Sequence, residues 1–232
     1  MKCVILAGGK GTRISELTKN VPKPMIKIFG KPLLYYIMKH YSNYGVKDFI
    51  VASGYKKKNI IDFFKKKKFP GWKIKVVDTG MDTMTGGRLK RLEKYLKNET
   101  FMLTYGDGLS NVNLKKLLKF HKKNKKISTL TSVRPPARFG AIKINGNKVT
   151  YFKEKSKLDE GWINGGFFIF EPEIFKFIKG DNTYLEREPL QNISKKKQLY
   201  AFKHYGFWQC MDTMRDKQVL EDTLKKNFFK FK

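Results

Sequence analysis

Cysteine and arginine are both scarce in this chain. Its 232 residues include two cysteines, Cys3 and Cys210, which have no metal-ligand spacing. They exclude a cysteine-built metal site, and so few thiols make a reducing cytoplasm the expected compartment. Arginine supplies only seven of the 50 basic residues, and lysine the other 43. The formal net charge of +30 invites a nucleic-acid partner. Yet the lysines lie in scattered short runs, Lys56–Lys58, Lys65–Lys68 and Lys195–Lys197 among them. Arginine, the better bidentate reader of phosphates and bases, is rare. Solvated lysine-rich faces account for the charge, and no specific nucleic-acid contact is expected. A basic nucleic-acid-binding protein stays open as an alternative of a different class. No apolar run approaches the length of a membrane span, so no membrane partner is expected. VILA is too short for the apolar region of a secretory signal, and Gly8 and Gly9 end it. Repeats, low-complexity segments and Pro/Ser-rich linkers are missing, which argues for one domain.

Short apolar strands alternating with helical patterns are what is there. CVILA reads as a first strand. Pro32 opens a helix carrying Leu33, Leu34, Ile37, Met38 and Tyr41 at helical spacing, and Gly45 stops it. DFIVA is a second strand, residues 58–64 a short helix, KIKVVD a third strand, RLKRLEKYLK a helix and FMLTY a fourth strand. NLKKLLKFHKK is an amphipathic helix and ISTLTSV a fifth strand. The rhythm implies a largely parallel sheet with helices on both faces. After Pro135 it changes: GAIKIN, KVTYFKE and WINGGFFIF read as strands, the first turn being Asn145-Gly146. Two short helices are expected near 173–178 and 185–194, then the strand AFKHYG and a last helix from about Arg215. The predicted fold is a single-domain, Rossmann-like three-layer α/β/α unit with a mostly parallel mixed sheet. Residues 1–134 form one half, and 135–232 a strand-rich second half.

The turn after the first strand of such a sheet is where ligands bind. Gly8-Gly9-Lys10-Gly11-Thr12-Arg13 suits a phosphate, because glycines let the backbone approach an anion. It matches neither familiar phosphate loop: Ile14 stands where a dinucleotide fingerprint needs glycine, and Gly11 follows Lys10 where a P-loop needs Ser or Thr. A purely structural turn would explain Gly8 and Gly9, but not Arg13 together with Val21-Pro22-Lys23-Pro24-Met25. There, prolines on both sides stiffen the backbone around Lys23, making it a fixed positive charge. Arg13 and Lys23 together could neutralise a triphosphate.

VILAGGKGTR followed by PKPM resembles the opening of the sugar-1-phosphate nucleotidyltransferases. VDTGMDTMTGGRLKR, FMLTYGDGLS, RFGAIKI, EGWINGGFFIFEPE and FWQCMDTMRDKQVLE are similar to the glucose-1-phosphate cytidylyltransferases within that family. The resemblance runs from Met1 to about Leu224. It implies transfer of a cytidylyl group from CTP to α-D-glucose 1-phosphate, giving pyrophosphate and CDP-glucose, the latter feeding polysaccharide biosynthesis; separately, a cytoplasmic homo-oligomer is expected. Two anions must meet, so positioning and charge neutralisation dominate, and neither an acid–base dyad nor a covalent nucleophile is needed. By resemblance, Asp107 and Asp212 are the Mg²⁺ ligands, and two carboxylates completed by phosphates and waters suit that ion. Leu6, Ala7, Gly8, Gly9, Gly11 and Thr12 match the loop that wraps the nucleotide. Arg13 and Lys23 match its phosphate contacts, and Thr85, Gly86 and Gly87 the segment approaching the base. Arg88 reads equally as a ligand contact or a surface arginine. For the sugar phosphate the matching positions are Gly140, Glu154, Lys155, Asn164 and Gly165. Glu154 would accept from sugar hydroxyls, Lys155 hold the attacking phosphate and Asn164 read another hydroxyl, with Gly165 and Gly166 leaving room for the ring. Trp162 reads as packing.

Four positions depart from the family pattern. Ile14 replaces leucine, Ser156 and Cys210 replace prolines, and Phe64–Trp72 is short where the cytidylyltransferases carry an inserted segment. The last bears on base and subunit number. The same chemistry with another nucleotide or phosphorylated acceptor is the alternative reading.

Overall fold

The computed structural model describes residues 1–135, 140–153 and 161–225. Along the chain run β1 (Lys2–Ala7), α1 (Ser15–Thr18), β2 (Lys27–Ile28), β3 (Lys31–Pro32), α2 (Leu33–Asn43), β4 (Asp48–Ser53), α3 (Lys57–Lys66) and β5 (Lys73–Asp78). Then follow α4 (Thr85–Lys90), α5 (Glu93–Leu96), β6 (Phe101–Tyr105), β7 (Gly108–Ser110), α6 (Leu114–Asn124) and β8 (Ser128–Val133). The second half adds β9 (Ala141–Asn145), β10 (Lys148–Lys153), β11 (Ile163–Asn164), β12 (Phe168–Phe170), α7 (Glu188–Lys195), β13 (Leu199–His204), β14 (Trp208–Cys210) and α8 (Met214–Lys225).

Strand period 2 sorts the core into two layers. Cys3, Ile5 and Ala7 of β1 face one side with Phe49 and Val51 of β4, against Leu34, Ile37 and Tyr41 of α2. Val4 and Leu6 face the other side with Ile50 and Ala52, against Leu89, Leu92, Ile174 and Leu190. Both faces are covered, which is why these strands read as continuous apolar runs. Each fully buried Leu, Ile, Val or Phe contributes about 1.5–3 kcal/mol.

The sheet is mixed, as expected. β1 pairs in parallel with β4 on one side and β6 on the other, and β5 extends from β4. The chain moves outward from β1 to β4 and β5, then returns to β6 on the opposite side of β1. That reversal makes a crevice at the C-terminal ends of β1 and β6, where ligands bind in open α/β sheets. β12 lies antiparallel between β6 and β8, and β13 joins β8 in parallel.

Four local expectations are corrected. RLKRLEKYLK is two short helices, because Leu92 and Tyr95 donate to carbonyls three residues back and tighten the chain between α4 and α5. WINGGFFIF is split: Gly166 and Phe167 both have positive φ, and β11 and β12 flank the kink. The β9–β10 turn is one residue later than read, since Asn145 pairs with Lys148 and only Gly146 of the two loop residues has φ above zero. The segment Pro172–Phe177 is a 3₁₀ rather than an α turn.

His40 sits on the buried face of α2, edge-on to Tyr44 and Phe167. Burial pushes its pKa down to about 4. Burial lowers His204 as well. An unfolded histidine titrates near pH 6.5, so between roughly pH 6.5 and 4 the unfolded chain binds more protons and stability falls as pH falls. Denaturation midpoints should drop over that window, by up to roughly 3 kcal/mol from His40. His40→Gln should flatten the decline; the same slope in both proteins would overturn this assignment.

Candidate active site

The glycine loop leaves β1 at the crevice. A side chain at Gly8 would collide with the Arg88 guanidinium, and one at Gly54 would meet that group and the Gly80 carbonyl. Gly11 has φ +66 and lies against Thr18 and Lys23. Arg88 is buried at 4% exposure, so it is not a surface arginine, and it lines the cavity beside the loop. Its Nη2 donates to the Gly8 carbonyl at 2.9 Å and the Met81 carbonyl at 3.1 Å. Its Nη1 donates to Thr79 Oγ1 at 2.9 Å and the Gly80 carbonyl at 2.6 Å. One guanidinium thereby ties the loop after β1 to the loop after β5. Burial lowers its pKa from the usual arginine value.

A cavity of about 320 Å³ opens beside the loop. Leu6, Ala7, Gly8, Gly9, Gly11, Thr12, Arg13, Lys23, Thr85 and Asp107 all line it. Gly86 and Gly87 do not: they are buried in α4, and a side chain at either would strike backbone of Asp181–Leu185. Their missing side chains serve that packing. Tyr105 and Tyr184 line the cavity too, and sequence reading missed both.

Lys23 and Asp107 line the cavity, and there two carboxylates, Asp107 and the non-lining Asp212, converge on one ammonium. Lys23 Nζ donates to Asp107 Oδ2 at 2.9 Å and to Asp212 Oδ1 at 2.5 Å. Arg13 Nη1 pairs with Asp212 Oδ2 at 2.6 Å. The two aspartates meet because β7 and β14 form an antiparallel ladder, Gly108 opposite Cys210, with the Met211 N–H on the Asp107 carbonyl at 2.8 Å. Lys23 is fixed in a 3₁₀ turn between Pro22 and Pro24, closed by the Met25 N–H on the Pro22 carbonyl. A side chain at Gly106 would press the Pro24 ring and the Leu6 carbonyl, both at 2.8 Å, so glycine lets this turn seat against β1.

Asp212 is held from behind. The buried Asp216 carboxylate accepts from the backbone N–H of Asp212 at 3.0 Å and of Thr213 at 2.9 Å, and from Gln209 Nε2 at 2.9 Å. Thr213 Oγ1 accepts from the Asp216 N–H in return, a reciprocal cap at the start of α8. Burial alone would push the Lys23 pKa down, but the Asp107 and Asp212 carboxylates more than offset it and raise it. Burial alone would raise Asp212, but Lys23 and then Arg13 hold it below the ordinary carboxylate range. Burial and these aspartates push the Cys210 thiol up to about 12, keeping it neutral.

These residues fit a divalent cation. Two hard oxygen donors already converge on a cationic atom. The described residues include no cluster of three or more His, Cys, Asp or Glu suited to a metal. Asp107 and Asp212 supply two carboxylate donors, and a divalent cation held there would take its remaining ligands from phosphate oxygens and waters.

On the sugar side, Asn164 is exposed, and its Nδ2 donates to the Tyr105 hydroxyl at 3.3 Å. Gly165 is not an open platform, because its N–H donates to the Thr131 carbonyl and its carbonyl accepts from Trp208 Nε1 at 2.8 Å. A side chain there would meet Val133, and one at Gly166 the Tyr105 ring, so both glycines make room for protein. Gly140 immediately precedes β9 and is half-buried. Glu154 and Lys155 lie outside the described residues. Trp162 packs edge-on to Tyr205, with Arg134 and Lys203 over its ring.

Residues 2–213 match the family model described as nucleotidyl transferase. The chain belongs to that family. This nucleotidyltransferase is 46% identical, over 97% of its own length and 96% of the relative's, to glucose-1-phosphate cytidylyltransferase of Salmonella typhimurium. It is 40% identical over 93% of each chain to a probable glucose-1-phosphate cytidylyltransferase of Bacillus subtilis. Among solved structures it superimposes on HddC from Yersinia pseudotuberculosis with a TM-score of 0.77 and 27% identity, covering 96% of this chain and 99% of that one. HddC is also known complexed with GMP-PN.

Proposed function

We propose that this nucleotidyltransferase moves a cytidylyl group from CTP to α-D-glucose 1-phosphate, releasing pyrophosphate. The convergence of Asp107, Asp212, Lys23 and Arg13 beside the glycine loop carries the reading. It sets two cationic side chains and two carboxylate donors where a triphosphate and its cation would lie. The relatives at 46% and 40% identity supply the base and the sugar.

The loop Gly8–Arg13 holds the phosphates along its backbone, with Thr85 toward the base. Lys23 and Arg13 neutralise the phosphates, and Asp107 and Asp212 hold Mg²⁺. When bound, the ion offsets charge on the triphosphate and the leaving pyrophosphate. Glu154 and Lys155 receive the sugar phosphate, and Asn164 a sugar hydroxyl. A phosphate oxygen of the sugar bonds to the α-phosphorus of CTP. The bond from that phosphorus to the bridging oxygen breaks, and pyrophosphate leaves with the electron pair. The attacking oxygen is already ionised, so the residues orient and neutralise rather than move a proton. Residues 1–134 serve the nucleotide and 135–232 the sugar, in a cytoplasmic homo-oligomer serving nucleotide-sugar and polysaccharide biosynthesis. No helix among the described residues is long and apolar enough to cross a membrane.

Purified protein with Mg²⁺ and glucose 1-phosphate, given each of four nucleoside triphosphates separately, should release pyrophosphate with CTP. Strong release with UTP or dTTP and none with CTP would sink the base assignment and keep the reaction class.

A further inference from the structure

Thr85 lines the cavity, and Asn164, read as a sugar contact, lies on a segment far from it in sequence. Two groups join them. Thr85 Oγ1 donates to Glu186 Oε2 at 2.6 Å and accepts from the Leu185 N–H at 2.9 Å. The Tyr105 hydroxyl donates to Glu186 Oε1 at 2.7 Å and accepts from Asn164 Nδ2 at 3.3 Å. Asn164 Oδ1 accepts from the Gly166 N–H at 2.9 Å.

Each proton in this chain has one direction. A carboxylate only accepts, so Tyr105 and Thr85 must both donate to Glu186. Tyr105 then has a lone pair for Asn164 rather than a proton. The Gly166 N–H occupies the other end of that amide, so its NH₂ faces Tyr105 with a second N–H left for a ligand. The Tyr105 ring is itself fixed, filling the space Gly166 leaves and meeting Phe168 edge-on.

We infer that Tyr105 and Glu186 are a positioning pair for acceptor specificity: together they fix the Asn164 amide that reads a hydroxyl of the sugar phosphate. Tyr105 lines the cavity and Glu186 does not, and the pair acts on the acceptor through Asn164. The inference rests on the reading of Asn164 as a sugar contact.

The test is steady-state kinetics of Tyr105→Phe, Glu186→Gln and the double variant, with melting temperature checked for each. The expected result is a rise of about tenfold in KM for the sugar phosphate in each single variant, as for one lost hydrogen bond to a charged group. KM for the nucleotide should stay within about twofold. The double variant should match the worse single variant, because both act through one amide. With a series of deoxy sugar phosphates, the wild type should discriminate at one hydroxyl, and the variants should lose that discrimination. Equal changes in both KM values, additive effects or unchanged discrimination would overturn the pair. If the wild type prefers another nucleotide and acceptor, the functional reading fails by itself. The variants are then compared on that preferred pair, where the same acceptor-specific, non-additive loss supports the inference and its absence removes it.

Discussion

Asp107→Asn and Asp212→Asn should each lower kcat/KM by on the order of 10³-fold, because each removes several kcal/mol of charge stabilisation. The free cluster holds two carboxylates against two cations, Lys23 and Arg13. It is neutral without ligand and gains two positive charges when Mg²⁺ adds. Asparagine keeps the shape and an oxygen donor but removes the charge that retains the ion. The cluster then meets the triphosphate with its cations unbalanced and no dication. Stability should fall little, by about 1 kcal/mol or roughly 2–4 °C, because the remaining carboxylate still neutralises Lys23. The two variants should also need more Mg²⁺ for half-maximal rate. Near-normal turnover in either would remove that residue from the ion site. A collapse in melting temperature beyond this range would show that the aspartate holds the fold rather than the ion.

The parts of this molecule that could be read from sequence are those whose signal is local. CVILA, DFIVA and FMLTY are buried on both faces, so they are apolar without interruption and stand out as strands. α2 was legible from end to end, since Pro32, the 33–41 spacing and Gly45 (φ +83) are each a local cue. The loop and the Pro-Lys-Pro turn were legible because glycine and proline constrain backbone directly. What failed depends on distant partners. β7 and β14 have three residues each, too few for a periodicity, yet their ladder helps bring Asp107 beside Asp212. Arg88 gave no local hint of burial, because its acceptors are carbonyls of Gly8, Ser53, Gly80 and Met81. Gly165 and Gly166 looked like room for a sugar ring, and Gly86 and Gly87 like the segment approaching the base, but a side chain at any of the four would meet the protein's own chain. Glu186 lay in a stretch with no motif, and only its contacts with Thr85 and Tyr105 draw it to the cavity.

Lys23→Met should be the most damaging single change for activity and stability together. Lys23 is 6% exposed, and among the described residues its ammonium is the one group bonded to both aspartates. Methionine fills the same volume with no charge. Asp107 and Asp212 then face each other with only Arg13, on the solvent side, to balance them. Removing one partner of a buried ion pair costs about 3–5 kcal/mol; here the aspartates are partly exposed, so about 2–3 kcal/mol is expected. That corresponds to a fall of roughly 4–12 °C for a chain of this size. Turnover should drop by on the order of 10³-fold or more, because a fixed cation at the phosphates is lost as well. The pH dependence separates this from a packing defect. Lys23 is raised, so its contribution is present below about pH 10.4 and is lost as pH climbs through its folded value. Asp212 is lowered, so its contribution is present above about pH 3.9 and is lost as pH falls through its folded value. Between those limits the gap between wild type and Lys23→Met should be constant, and it should close at either end. Mg²⁺ should raise the melting temperature of Lys23→Met more than that of wild type, since the ion can take over the lost ammonium's role between the carboxylates. A gap that ignores both pH and Mg²⁺ would mean that Lys23 matters for its methylenes rather than its charge, and the electrostatic account of the site would fall with it.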